Sequence, residues 1–164
     1  MLIHPKMCDR ETAKKRILGY KEQGKKIVFT NGCFDIIHPG HVDLLARAKA
    51  LGDILVLGLN SDESVRNQGK GDDRPFNTYE ARAFVLAHLE SVDIVVPFNE
   101  DTPLALIEDF VPDILVKGGD WNIDKIVGKD IVQNNGGKVF SLPLIQGYST
   151  TNLANKIAKT HSVS

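Results

Sequence analysis

Lys26-Ile-Val-Phe-Thr30, followed by Asn31-Gly-Cys-Phe-Asp-Ile-Ile-His38 and Pro39-Gly-His41, joins a short apolar run to a helix start through a glycine-bearing turn. The run is rich in β-formers and does not alternate, which predicts a strand covered on both faces, as in a parallel sheet. Pro39 and Gly40 mark the start of the helix that follows. Four more runs of the same kind recur, at Asp53–Leu59, Asp93–Phe98, Asp113–Lys117 and Lys138–Leu142. Between them lie helical patterns. Val42–Leu51 is stopped by Gly52, Thr78–Leu89 is capped by Thr78, and Thr102–Phe110 has Pro103 at its first helical position. Asp124–Asn134 runs into Asn135-Gly-Gly137, and Thr150–Thr160 is capped by Ser149. A further helix over Asp9–Gln23 precedes them all. This alternation predicts an α/β fold, a doubly wound five-stranded parallel sheet with an additional N-terminal helix. Ligands of such sheets sit at the carboxyl ends of the strands, near the topological switch point.

The 164 residues and 18.1 kDa suit one domain over 1–164, with 1–24 as a helical extension. Apolar residues at 42% and charged residues at 25% mark a globular chain. A net charge of −1 argues against a nucleic-acid coat. Two cysteines, Cys8 near a mobile start and Cys33 in the turn, exclude a disulfide framework and suit a reducing, cytoplasmic setting. No apolar run is long enough for a membrane helix and the start carries no secretory pattern, so no membrane partner is expected. The eight basic and three acidic residues of 1–26 read as a solvated helix face. The longest irregular stretch is Ser61–Asn77, a length that marks a functional or mobile loop.

Chemistry concentrates after the first strand. His38 and His41, three apart, fall on one face of the first helical turn. Free N–H groups and the positive end of the helix dipole point the same way, and two imidazoles add donors, so the turn suits a phosphate. The same pair can instead cap or pack the helix, or ligate a metal with Asp35, although no Cys or third His completes such a set. Ser149, Thr150 and Thr151 offer three hydroxyls at the last helix start, for phosphate or as an ordinary cap. Lys117-Gly-Gly-Asp-Trp121 ends the fourth strand at the ligand edge. Its glycines admit a flat group and Asp120 can accept from a ribose hydroxyl; the alternative is a strand-ending turn. Asn60 and Asp62 contact a ligand or cap a helix. Lys70, Arg66 and Arg82 are candidate phosphate contacts. Cys33 and His88 read as structural.

Gly32-Cys-Phe-Asp-Ile-Ile-His-Pro-Gly-His41 resembles the HxGH signature of the nucleotidyltransferase superfamily, which holds cytidylyltransferases, pantetheine-phosphate adenylyltransferase and, more distantly, class I aminoacyl-tRNA synthetases. From Lys25 to Lys159 the chain is similar to D-glycero-β-D-manno-heptose 1-phosphate adenylyltransferases. The resemblance rests also on Leu59-Asn-Ser-Asp-Glu-Ser-Val-Arg66, Arg74-Pro-Phe-Asn77, Leu115-Val-Lys-Gly-Gly-Asp-Trp121 and Gly147-Tyr-Ser-Thr-Thr151. In many bacteria that activity is half of a bifunctional heptose kinase/adenylyltransferase. The resemblance implies a Rossmann-like nucleotidyltransferase fold. It also implies transfer of AMP from ATP to heptose 1-phosphate, giving ADP-heptose and pyrophosphate for lipopolysaccharide core synthesis. Mg²⁺ would be held mainly by the ATP phosphates, with no protein metal site.

By the same resemblance, His38, His41, Lys70, Ser149 and Thr150 are catalytic. Thr30, Asn31, Gly32, Cys33, Phe34 and Gly40 join the histidines around the nucleotide. So do Lys117, Gly118, Gly119 and Asp120, and Tyr148 through Thr151. Asp35, Asn60, Asp62, Arg66, Arg82 and Trp121 face the sugar phosphate. A homodimer and a separate upstream heptose kinase are expected, with no nucleic-acid partner. Two departures stand out. Asn67-Gln-Gly-Lys70 and Gly71-Asp-Asp-Arg74 are more polar and acidic than the family pattern. Leu144-Ile-Gln146 stands where glycerol-phosphate cytidylyltransferases carry Arg-Thr-Glu. The alternatives are a cytidylyltransferase acting on a small alcohol phosphate such as glycerol 3-phosphate, and a non-catalytic nucleotide-binding regulatory module. A sugar phosphate nucleophile needs no base, since its second pKa of about 6 leaves it mostly dianionic at neutral pH.

Overall fold

The computed structural model describes residues 1–162. Its elements run α1 (Arg10–Glu22), β1 (Ile27–Gly32), α2 (Pro39–Lys49), β2 (Ile54–Asn60), α3 (Asp62–Asn67), α4 (Tyr79–Ala87) and β3 (Ile94–Phe98). They continue through α5 (Leu104–Phe110), β4 (Ile114–Gly118), α6 (Lys129–Asn134), β5 (Lys138–Leu142) and α7 (Thr150–His161).

Three Asp-Ile pairs start strands, and each aspartate ties its strand to a neighbour. Asp53 accepts the backbone N–H of Lys26 at 2.7 Å, Asp93 that of Leu55 at 2.7 Å and Asp113 that of Ile27 at 2.8 Å. The five strands form one parallel sheet in the order β3-β2-β1-β4-β5. The direction of winding reverses between β1 and β4, which makes their carboxyl ends the switch point.

Alternate residues along the apolar strands feed two separate cores, which explains why the runs are apolar throughout. Phe29, Val56, Ile94 and Val96 pack with Ala13 and Ile17 of α1, Leu106, Ile107 and Phe110 of α5, and Val132 of α6. Val28, Leu55, Leu57 and Val95 pack with Leu44, Leu45 and Ala48 of α2 and Ala83, Leu86 and Ala87 of α4. The α7 helix buries no residue completely.

Local chemistry departs from the expectations in four places. Ser61 accepts from Ser64 N and caps α3, so part of the 61–77 stretch is helical. The expected helix over Asp124–Asn134 is divided into a 3-10 turn at Ile123–Lys125 and α6, because Gly128 between them takes φ +85°. Pro103 stands at the N-cap of α5 rather than inside it. Cys8 does not sit in a mobile start. Its N–H donates to Val95 O at 3.1 Å, Lys6 O accepts Val95 N at 2.8 Å, and Met7 bridges β3. The segment thereby covers the free edge of the sheet. Both cysteines are free thiols, and no described helix is long and apolar enough to cross a membrane.

Most of the basic residues of 1–26 are exposed, as a solvated face should be, but three of them serve this docking. Lys21 donates to Phe110 O and Val111 O at the end of α5, Lys6 to Leu89 O, and Arg10 to Ala105 O. Ile17, 1% exposed, anchors the same helix in the core. Ile17→Ala is expected to cost about 2–5 kcal/mol, read as a lower urea midpoint in a single transition. An α1 that were a loose appendage would leave the midpoint unchanged.

Candidate active site

The turn after β1 is held from beneath. Phe34 adopts φ +46°, its ring is buried, and it lies 5.1 Å from the His41 ring between centroids. Asp35 is buried, its oxygens accepting Phe76 N at 2.8 Å and Asn77 N at 2.9 Å, while Asn77 donates back to Asp35 O at 2.7 Å. These bonds close the far end of the 61–77 stretch onto the turn. His38 then takes an extended conformation as N-cap of α2, with Pro39 opening the helix. At position 40 a Cβ would sit 3.0 Å from the His38 ring and 3.4 Å from the Tyr148 Cβ, so glycine is what lets the ring lie flat against the helix start.

The two imidazoles stack, with centroids 3.7 Å apart and planes at 21°. Both pKa values lie below the ordinary histidine range. Burial is the main cause, and it takes His41 to about 4 with a further push from His38. Both rings are therefore neutral at pH 7. His41 Nδ1 accepts the His38 backbone N–H at 3.4 Å, which leaves the proton on Nε2 as a donor. His38 Nδ1 is the one buried side-chain nitrogen or oxygen without a partner among the described residues. An orphaned buried polar atom of this kind suits a ligand contact.

Around this pair lies a cavity of about 290 Å³, walled also by Cys33, Lys70, Arg74, Leu144, Tyr148 and the start of α7. Ser149 caps α7 by accepting Asn152 N at 3.0 Å, which leaves its hydroxyl proton to give. Thr150 Oγ1 donates to Ile36 O at 3.4 Å and fastens α7 to the β1–α2 turn. Two helix N-termini thus face one space.

A second cavity of about 400 Å³ opens beside it, at the carboxyl ends of β1, β2 and β4. It exists because β1 and β4 pair at only two positions, Val28 with Ile114 and Phe29 with Leu115. Beyond them the Thr30 hydroxyl donates to Val116 O at 2.9 Å. Asn31, Asn60, Lys117, Asp101 and Thr102 line the opening, with Trp121, Lys125 and Gln68. Lys70 lines both cavities. Lys117 lies 5.1 Å from the Trp121 ring, and burial, then Lys70, lowers its pKa.

Not every expected residue lies at these walls. Thr30 is spent on the β1–β4 link, and Gly32, Gly118, Gly119 and Asp120 line neither cavity. A Cβ at 118 would lie 2.6 Å from Leu44, so that glycine serves helix packing. Arg66 is exposed on the last turn of α3 and also lines neither cavity. Arg82 is 1% exposed and turned inward, donating to Asn77 O, Cys33 O and Asn60 O and pairing with Asp62 at 2.6 Å. Asn60 is buried and donates to Ser64 Oγ at 3.0 Å. Trp121 donates its indole N–H to Gly118 O at 3.1 Å. Arg74, Gln68, Asp101, Thr102 and Lys125 were given no role by sequence reasoning. Arg74 and Gln68 stand within quoted segments; Asp101, Thr102 and Lys125 are ordinary polar residues that the fold gathers. No group of three or more His, Cys, Asp or Glu able to hold a metal is present among the described residues.

Residues 29–156 match the family described as cytidylyltransferase-like. The bifunctional protein HldE of Caulobacter vibrioides is 54% identical over 148 residues, covering 90% of this chain and 30% of that protein. HldE of Mesorhizobium japonicum is 55% identical over 151 residues, covering 92% and 30%. The chain therefore spans about 30% of the length of the curated relatives it matches. A solved structure described as the lipopolysaccharide core biosynthesis protein from Thermoplasma volcanium superposes with a TM-score of 0.60 at 28% identity, covering 77% of this chain and all of that one.

The depressed His41 pKa has a defined sign. Unfolding frees an imidazole that binds a proton below about 6.5, whereas the folded ring stays neutral down to about 4. The stabilisation is complete above about 6.5 and is lost as pH falls toward about 4. His41→Asn, which keeps an acceptor for His38 N, is expected to flatten that part of the pH profile in urea melts.

Proposed function

Because the chain belongs to the cytidylyltransferase-like family, we propose that it transfers AMP from ATP to D-glycero-β-D-manno-heptose 1-phosphate, releasing pyrophosphate and forming ADP-heptose for lipopolysaccharide core synthesis. One observation carries the reading: two adjoining cavities share Lys70, one walled by helix N-termini and neutral histidines, the other by Lys117 and Lys125 with amide and hydroxyl groups. The first suits a triphosphate and the second a phosphorylated polyol. The similarity to HldE proteins supports the acceptor. Leu144 in the wall of the first cavity, where glycerol-phosphate enzymes carry arginine, favours ATP over CTP.

In this mechanism an oxygen of the sugar phosphate attacks the α-phosphorus, the bond to the bridging oxygen of the β-phosphate breaks, and pyrophosphate leaves with that electron pair. No side chain has to remove a proton, because the attacking phosphate is already ionised. The residues align two polyanions and stabilise charge that gathers on the phosphoryl oxygens. His41 donates through Nε2–H as a neutral group, so it adds a hydrogen bond without titrating near neutrality. Ser149, Thr150 and the N–H groups at the start of α7 take further phosphate oxygens. Lys70, in the wall between the cavities, faces both substrates. Lys117 and Lys125 neutralise the acceptor phosphate, while Asn31, Asp101 and Thr102 meet sugar hydroxyls. The protein donors are hydrogen-bonding and cationic groups suited to phosphate oxygens. Mg²⁺ would accordingly be held by the phosphates and water, supplying added charge neutralisation.

Pyrophosphate release with Mg²⁺ tests the reading, crossing ATP, CTP and GTP with heptose 1-phosphate, glycerol 3-phosphate and phosphopantetheine. Turnover is expected with ATP and heptose 1-phosphate; turnover confined to CTP overturns it. His41→Ala is expected to lower kcat by about 10²–10³ with the melting temperature little changed. Near-native turnover would remove His41 from the chemistry.

A further inference from the structure

Arg74 enters the first cavity from the far end of the 61–77 stretch, and the mechanism above leaves it without a task. Its side chain is 11% exposed. The guanidinium lies 4.3 Å over the Phe76 ring, and its nearest carboxylate oxygen, on Asp35, is 3.7 Å away. Asp35 does not depend on that arginine for its place, since two backbone N–H groups already hold its oxygens. The guanidinium is thus braced by the Phe76 ring and held only loosely by its counter-charge. Stacked arginine is a rigid fork of donors that stays charged at any working pH and matches phosphate bidentately.

Charge makes the position informative. Burial keeps His38 and His41 neutral at pH 7, so the signature histidines contribute hydrogen bonds but no net charge. The cavity's full positive charges are Lys70 and Arg74. Lys70 is exposed, with Cys33 Sγ at 3.8 Å as its contact, whereas Arg74 is stacked and shielded. We propose that Arg74 is the standing cationic ligand for the β- and γ-phosphates of the bound nucleotide, and that Asp35 and Phe76 are positioning residues which present it. The inference rests on the reading of the first cavity as the triphosphate site. It also gives Asp35 a task other than contact with the sugar.

Calorimetry with ATP and with AMP, each without acceptor, decides the matter for the wild-type chain, Arg74→Met and Arg74→Lys. Arg74→Met is expected to weaken ATP by about tenfold or more and AMP by less than about twofold, because AMP lacks the outer phosphates. Arg74→Lys, which keeps the charge and loses the fork, is expected to fall between. ATP affinity within about twofold of wild type in Arg74→Met, or an equal loss for ATP and AMP, overturns the proposal. Should Arg74→Met fail to fold, Arg74→Lys decides alone: unchanged ATP affinity overturns it, and selective weakening of ATP over AMP supports it. A wild-type chain that binds no ATP overturns this inference together with the proposed function. One that binds ATP selectively through Arg74 but ignores heptose 1-phosphate leaves the inference standing and removes only the acceptor assignment.

Discussion

β1 and β4 run side by side for only two residue pairs before they part, and the whole ligand end of the molecule depends on that parting. By contrast β1 stays paired with β2 along its six residues. Winding proceeds outward from β1 to β3 on one side and from β4 to β5 on the other, so the chain leaves β1 and β4 in diverging directions. The gap is bridged once, by the Thr30 hydroxyl on Val116 O, and above that bridge it is open. Lys117 and Asn31 border the space. Two fully packed faces, with α1, α5 and α6 on one and α2 and α4 on the other, hold the strands so that the opening neither closes nor widens.

Under the proposed function, charged histidines would be the obvious partners for two polyanionic substrates. Here packing works the other way. The rings stack on each other at 3.7 Å, His41 lies against Phe34, and burial lowers both pKa values so that the rings are neutral at pH 7. What remains is a neutral donor whose tautomer is set by the His38 backbone N–H. Such a donor costs less to bury than a cation and does not change state across the neutral range. Net charge comes instead from long side chains on the surrounding segments, with Lys70 exposed and Arg74 shielded.

Several polar residues that look available for ligands are structural struts. Arg82 gives four of its five N–H groups to Asn77 O, Cys33 O, Asn60 O and Asp62, tying the β1 turn, the end of β2 and the start of α4 together. Asp35 plays the matching part from the other side. Irregular backbone near a site leaves unpaired N–H and C=O groups, and buried charged side chains are efficient partners for them. Removing one would leave several buried orphans at once.

Much was legible because it is local. Continuous apolar runs, Thr78 and Ser149 as caps, and Gly52 as a stop follow from short-range sterics and hydrogen bonding, and they led to five parallel strands and to His38 and His41 at a helix start. Local rules also failed locally: Gly128 at φ +85° divides one expected helix, and the Ser61 cap starts the short α3 in a stretch read as irregular. The direction in which a side chain points is another matter. Arg82 and Lys117 are both cations near strand or helix ends, yet one is sealed inside and the other lines a cavity. Asp101, Thr102 and Lys125 belong to no motif, and only the convergence of the β3–α5 and β4–α6 connections brings them to one wall. The sequence by itself determined the strands, the helix starts and the glycine-bearing turn that carries His38 and His41, because each depends on residues within a few positions of one another. Only the tertiary structure decided which polar groups face ligand and which face the protein, because burial, pairing and pKa are set by neighbours distant in the chain.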